Sequence, residues 1–171
     1  ECKAAGLIRQ AGVSNMGPRR IDALSVVGET PAVNQVELHP HLAQNDLLAY
    51  CKAKGIDVTA YSPLGSTDRL ESMKKADEPA LLTHPVLQGV AERHGASTAQ
   101  ILIAWAMERD TSVIPKSVNN GRIEENLKAT TLSLTADDMQ EIAALDKGYR
   151  FVDATFFEVE GGSYTGAGVF V

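Results

Sequence analysis

The sequence predicts an α/β protein built on a parallel sheet, and three observations carry that expectation. Strand-like runs alternate with helical patterns along the chain. The helical patterns open and close on recognisable punctuation, Pro18 and Pro85 at starts and Gly28, Gly55 and Gly95 at ends. The central run at residues 56–66, IDVTAYSPLGS, is apolar and β-branched and then breaks into a turn of hydroxyls and glycine. The order is strand, helix, strand, helix, strand, two helices, strand, helix, which goes with right-handed crossovers. Four strands make either an open sheet or half of an eight-stranded β/α barrel. A full barrel takes about 250 residues, against 171 here.

Residues 12–15 (GVSN) form the first strand, ending in small polar side chains. Pro18 opens a helix whose apolar face holds Ile21 and Leu24. The next strand, residues 32–38, alternates: Val33, Gln35 and Glu37 point one way, Asn34, Val36 and Leu38 the other. Asn45 is expected to cap a helix carrying Leu47, Leu48 and Cys51, with lysines near its end. The third strand leads through Tyr61 into residues 62–66. Residues 67–78 are charged and aperiodic, an excursion or clamp. Pro85 starts a helix with Leu87, Val90, Ala91 and His94 on one face. Ser97 and Gln100 form a capping box before the stripe Ile101, Leu102 and Trp105. Residues 112–115 are the fourth strand. Asn119 or Asn120 caps a helix with Ile123 and Leu127, and Thr135 with Asp138 opens a last helix carrying Met139, Ile142 and Leu145.

Composition narrows the function classes. The length suits one domain, and no run is apolar for the eighteen or so residues of a membrane span. The N-terminus has no signal-peptide pattern and reads as though a helix were entered partway. A net charge of −6 opposes bulk nucleic-acid binding yet leaves room for a local cationic pocket. Cys2 and Cys51 lack metal spacing and suit a reducing, cytoplasmic compartment. No metal site is expected.

The strand ends carry the chemistry. Ser14, Asn15, Gln35, Tyr61, residues 62–66, Lys116 and Ser117 all fall where a parallel sheet gathers its ligand groups. Amide and hydroxyl side chains can hold a planar carboxamide, and an aromatic ring can stack on a flat heterocycle. Lys116 before a capped helix, with Arg122 one turn in, makes an anion site. Carboxamide, flat ring and phosphates together describe a nicotinamide nucleotide.

Four runs then resemble the aldo-keto reductase family: GVSNM (12–16), NQVELHPHLAQ (34–44), GIDVTAYSPLGS (55–66) and IPKSVNNGRIEEN (114–126). The resemblance covers almost the whole chain in order and spacing. It implies a (β/α)8 TIM barrel of which this chain carries about the C-terminal half, from the fifth strand onward. Residues 1–146 would be the cofactor-binding part and residues 147–171 an aromatic C-terminal loop. The implied activity is NADPH-dependent reduction of an aldehyde or ketone, with the details most like the fungal or plant-type and aldose-reductase-like branches.

Carried over by position, Ser14, Asn15 and Gln35 would hold the nicotinamide carboxamide, and Tyr61 would stack on the ring. Ser62, Leu64 and Ser66 would wrap the pyrophosphate, and Asp68 would pair with Lys116 across it. Lys116, Ser117 and Arg122 would grip the 2′-phosphate, and Glu125 and Asn126 would face the adenine. Phe156, Phe157 and Tyr164 would line the substrate pocket. His39 and His41 sit past their strand end and are expected to be structural. Ala104 stands where the family often has arginine, which removes an expected helix-surface ion pair. The family's proton donor, a tyrosine supported by aspartate, lysine and histidine, lies on strands not found in these residues. No catalytic acid is therefore assigned here, the missing N-terminal half is an expected partner, and these residues alone are expected to be inactive. Two other functions fit the same scaffold: a non-catalytic NADPH-binding regulatory or interaction protein, and a phosphate-binding barrel enzyme with no use for Gln35 or Tyr61.

Overall fold

The computed structural model describes residues 1–155, 158, 168 and 170. Its elements are β1 (Gly12–Ser14), α1 (Pro18–Val27), β2 (Val33–Glu37), α2 (Asn45–Lys54), β3 (Asp57–Tyr61), α3 (Pro85–His94), α4 (Thr98–Met107), β4 (Thr111–Val113), α5 (Asn120–Lys128) and α6 (Ala136–Ala143). Single 3-10 turns lie at Glu71–Met73 and Ala129–Thr131. The strands form one sheet in the order β1-β2-β3-β4. β1 runs parallel to β2, with Gly12 opposite Val33 and Ser14 opposite Gln35. The protein is thus α/β, with strands and helices in the expected order. The chain divides into two compact units, residues 1–36, 44–59 and 153–171, and residues 37–43 and 60–152.

In the first unit Pro18 stands at the start of α1, where its missing N–H costs nothing. Ile21, Val36, Cys51, Ile56 and Val58 are buried. Asp22 of α1 accepts from Tyr50 (2.8 Å) and Lys54 (2.9 Å) of α2. Asn45 does not cap α2. Gln44 occupies the cap position in a left-handed conformation and makes no side-chain cap hydrogen bond, and Asn45 is the first helical residue. Gly55, at φ +68°, closes α2 by donating to Cys51 O and Lys52 O, a position that favours glycine.

In the second unit the Ser97–Gln100 box forms as expected, each side chain bonding the other residue's backbone N–H. α4 departs from its expected stripe: Ile101 through Ala106 are all buried. The helix packs against α3, β4 and α5, so it is enclosed rather than amphipathic. Ala104 is only 1% exposed, so this position belongs to the core and carries no surface ion pair, in keeping with the alanine found there. α5 departs in the other direction. Asn119 caps it by accepting from Arg122 N (3.0 Å), but Ile123 and Leu127 are 50% and 69% exposed. Leu145 lies beyond α6 yet is buried.

Asp138 joins α6 to α3. It caps its own helix with Thr135 and accepts from Arg93 Nη2 (2.6 Å) and His94 Nε2 (2.8 Å). Burial alone would raise its carboxyl, but hydrogen bonds from Thr135, His94 and Arg93 hold it well below the usual carboxylate range. A folded-state value below the unfolded one stabilises above the unfolded value, and the contribution is lost as pH falls through the folded one. Stability should therefore decline below about pH 4, where unfolded Asp begins to protonate. Asp138→Ala should lower the unfolding free energy by about 2 kcal/mol at pH 7. Its urea midpoint should depend less on pH in the acid range than that of the parent, and parallel pH profiles would refute the assignment.

Candidate functional site

The turn after β3 is built from residues that accept unusual backbone angles. Ser62 and Ser66 have φ of +51° and +48°, and Gly65 lies between them at +87°. Gly65 N donates to Ser62 O at 3.0 Å, and Ser66 Oγ donates to Ser62 Oγ at 2.5 Å. Left-handed non-glycine residues cost about 1–3 kcal/mol each and collect at ligand clamps. A Cβ on Gly65 would approach Leu81 Cδ1 to 3.2 Å and the Phe151 ring to 3.4 Å. Gly65→Ala should therefore lose about 1–3 kcal/mol from angle and crowding together. An unchanged denaturation midpoint would show that the turn relaxes.

This turn forms one wall of a cleft of about 720 Å³ in the second unit. Ser62, Leu64, Ser66 and Asp68 line that wall; Lys116, Ser117, Arg122, Glu125 and Asn126 line another. Nine of the residues assigned from sequence are thus brought together. Two helix starts also meet here. Residues 97–99 line the cleft at the head of α4, and residues 117–119 at the head of α5. Helix N-termini present backbone N–H groups and partial positive charge to an anion. Ser117 Oγ accepts from Asn119 N (3.1 Å), which fixes the entry to α5. Gln100 Nε2 donates to Glu125 O (3.1 Å), which fixes the two helices to each other.

Lys116 Nζ and Asp68 Oδ2 stand 2.5 Å apart across the cleft. The pair expected from sequence forms, and the lysine's hydrogen bond holds the Asp68 carboxyl below its usual value. Both side chains are more than half exposed, so the pair adds little stability and can open.

Tyr61 ends β3 half-buried, its carbonyl accepting from Leu38 N (3.3 Å). In the first unit Ser14, Asn15 and Gln35 come together at the β1–β2 pair. Ser14 Oγ and Asn15 N both donate to Gln35 O (2.9 and 3.0 Å). Asn15 takes φ +57°, and its Oδ1 is buried with no protein partner. Phe156, Phe157 and Tyr164 lie outside the described residues. Among the described residues no group of three or more His, Cys, Asp or Glu could hold a metal. No helix among them is long and apolar enough to cross a membrane.

His39 and His41 are both buried. Glu37 Oε1 accepts from His39 Nε2 (2.9 Å). Leu145 O accepts from His41 Nδ1 (3.0 Å), and burial pushes His41 below its usual value. Their partners are an internal carboxylate and a backbone carbonyl, as a structural role requires, and His39 Nδ1 and His41 Nε2 are buried with no hydrogen-bond partner. Two residues escaped the sequence reading, Glu37 and Arg69. Glu37 is fully buried and also accepts from Phe151 N (2.6 Å) and Val152 N (3.0 Å). An acidic residue in an otherwise uncharged strand was the available signal. Arg69 sits in the polar stretch 67–78 but its side chain is only 8% exposed, and nothing in its sequence neighbourhood marks that.

Residues 1–147 match the sequence model of the Aldo/keto reductase family. An aldo/keto reductase of Synechocystis sp. is 49% identical over 161 residues, 94% of this chain and 49% of the relative. Aldo-keto reductase family 1 member A1 of Mus musculus is 47% identical over 150 residues, 87% of this chain and 46% of the relative. The Bos taurus protein of the same name is 49% identical over the same shares. The chain spans about half the length of the curated relatives it matches. With the family's model matching residues 1–147 of the 171, which include all four strands, the chain belongs to the aldo/keto reductase family.

Proposed function

We propose that the protein is an NADPH-dependent carbonyl reductase, and that these residues form its cofactor site. The observation that carries the proposal is the cleft: Lys116, Ser117 and Arg122 at one helix start, a second helix start beside it, and the strained hydroxyl turn opposite. Such a site fits a pyrophosphate and a ribose 2′-phosphate better than an uncharged ligand. Asn15 Oδ1, buried without a protein partner, supports a carboxamide N–H donor as its ligand. Tyr61 at the end of β3 would then stack on the nicotinamide. Glu125 and Asn126 would face the adenine. The cofactor, when bound, supplies a hydride. The substrate is a small aldehyde or ketone, with Phe156, Phe157 and Tyr164 proposed to line its pocket. Both cysteines are free, Cys2 exposed and Cys51 buried, which supports a cytoplasmic location.

Hydride delivery to a carbonyl needs a proton placed at its oxygen. Tyr61 is assigned to stacking, and His39 and His41 are held by internal bonds. We therefore assign no catalytic acid within residues 1–171. The test titrates NADPH and NADH into the protein expressed from its complete gene, following fluorescence. NADPH should bind at least about tenfold tighter, the gain from one charge-assisted hydrogen bond. Equal dissociation constants would overturn the NADPH assignment. A purified polypeptide of these 171 residues alone should not oxidise NADPH with a reactive aldehyde. Turnover on the order of 1 per second would show that a proton donor lies among them.

The Asp68–Lys116 pair is proposed to close over the bound pyrophosphate. Asp68→Ala should speed NADP⁺ release several-fold in stopped flow, with little loss of stability. Release at the parent's rate would remove the clamp role.

A further inference from the structure

Arg69 joins three stretches of chain that the sequence keeps apart. Its Nε donates to Ser66 O (3.0 Å) in the turn that lines the cleft. One terminal nitrogen donates both to Met73 O (3.0 Å) and to Phe151 O. The other donates to Glu78 Oε2 (2.6 Å). Four of the five N–H groups of the guanidinium are thus engaged. Phe151 lies with its ring 5.5 Å from that guanidinium, and against His39 and Tyr149 at 4.8 and 5.2 Å between ring centroids. On its other side, Glu37 holds the amides of Phe151 and Val152. The same ring packs beside Gly65 of the turn.

We propose that Arg69 is a positioning residue that couples occupancy of the cleft to the placement of segment 149–152. The proposal rests on the cofactor reading above. A phosphate ligand drawn to the turn would fix Ser66, whose carbonyl Arg69 holds. The guanidinium, planar and rigid, transmits that position to Phe151 O. In sequence, segment 149–152 leads towards the residues proposed to line the substrate pocket. By linkage, the segment must affect nucleotide affinity by the same factor.

The test is hydrogen–deuterium exchange at the Phe151 and Val152 amides, with and without saturating NADP⁺, in the protein expressed from its complete gene. NADP⁺ binding is measured first by calorimetry. The parent should show at least about fivefold slower exchange with NADP⁺, the low end of ordinary coupling. Arg69→Lys, whose ammonium cannot serve four acceptors in fork geometry, should bind NADP⁺ yet change by less than about twofold, below the range of ordinary coupling. Glu78→Gln, which loosens the same guanidinium without removing a bond to Phe151, should fall between, and it carries the test if the lysine variant does not fold. A purely structural Arg69 would speed exchange equally in both states and keep the parent's ratio. That result, or no protection in a parent that binds NADP⁺, overturns the coupling. A parent that does not bind NADP⁺ overturns the cofactor reading itself, and the coupling falls with it.

Discussion

Replacing Arg122 with alanine should weaken NADPH binding about ten- to a hundredfold and leave NADH binding within about twofold. The asymmetry follows from how the head of α5 is already committed. The backbone N–H of Arg122 is taken by the Asn119 cap, and Lys116 is paired with Asp68. The Arg122 side chain lines the cleft and is exposed, which leaves its fork for a ligand. A guanidinium bonded to a phosphate contributes about 1.5–3 kcal/mol, or one to two decades of affinity. NADH lacks the 2′-phosphate and so loses nothing of that kind. Arg122→Lys should recover part of the loss, since an ammonium supplies charge without the fork. Raising salt from 0.05 to about 0.5 M should narrow the gap between the two cofactors, because the site is open to screening. Calorimetric titration of both cofactors into parent and variants decides the matter. Equal weakening of NADPH and NADH would place Arg122 elsewhere than at the 2′-phosphate.

What could be read from the sequence depended on how far apart the interacting residues lie. Pro18, Pro85, Gly55, Gly95 and the Ser97–Gln100 box act within one turn of chain, and each does in the structure what its type predicts. Asn45 misled by a single residue because Gln44 adopts the left-handed cap, a conformation with no strong signature outside glycine and asparagine. Ile123 and Leu127 share a face, as their spacing says, but spacing does not say what covers that face. Ile101 through Ala106 show the converse: the period called for a stripe, and packing on several sides enclosed the helix. The cleft was legible because it is made of two local runs, 62–68 and 116–126, that a parallel sheet delivers to one end. Arg69 and Glu37 were not. Their decisive partners are 82 and 114 residues away, and no local pattern encodes a bond of that range.

Glu37→Ala should lower the unfolding free energy by about 3–5 kcal/mol, the cost of breaking a buried charged network from one side. Glu37 is 0% exposed. Its carboxylate accepts from Phe151 N (2.6 Å), Val152 N (3.0 Å) and His39 Nε2 (2.9 Å), and Arg150 Nη1 lies 3.7 Å away. Alanine would leave two buried donors, Phe151 N and His39 Nε2, and the part-buried Val152 N facing a void, each unmade buried bond costing about 1–3 kcal/mol before relaxation. Against a total stability of about 5–15 kcal/mol, that is a large share. Glu37→Gln separates charge from shape. It keeps the volume and one acceptor oxygen, but its NH2 group would face donors, so about half the loss should remain. The damage should be local first. Amides of Phe151 and Val152 should exchange faster under native conditions than those of α4, whose buried residues lie outside this network. Equal stability of parent and Glu37→Ala in urea would mean that the segment finds other acceptors. A glutamine variant as unstable as the alanine one would mean that charge rather than acceptor count holds residues 150–152 in place.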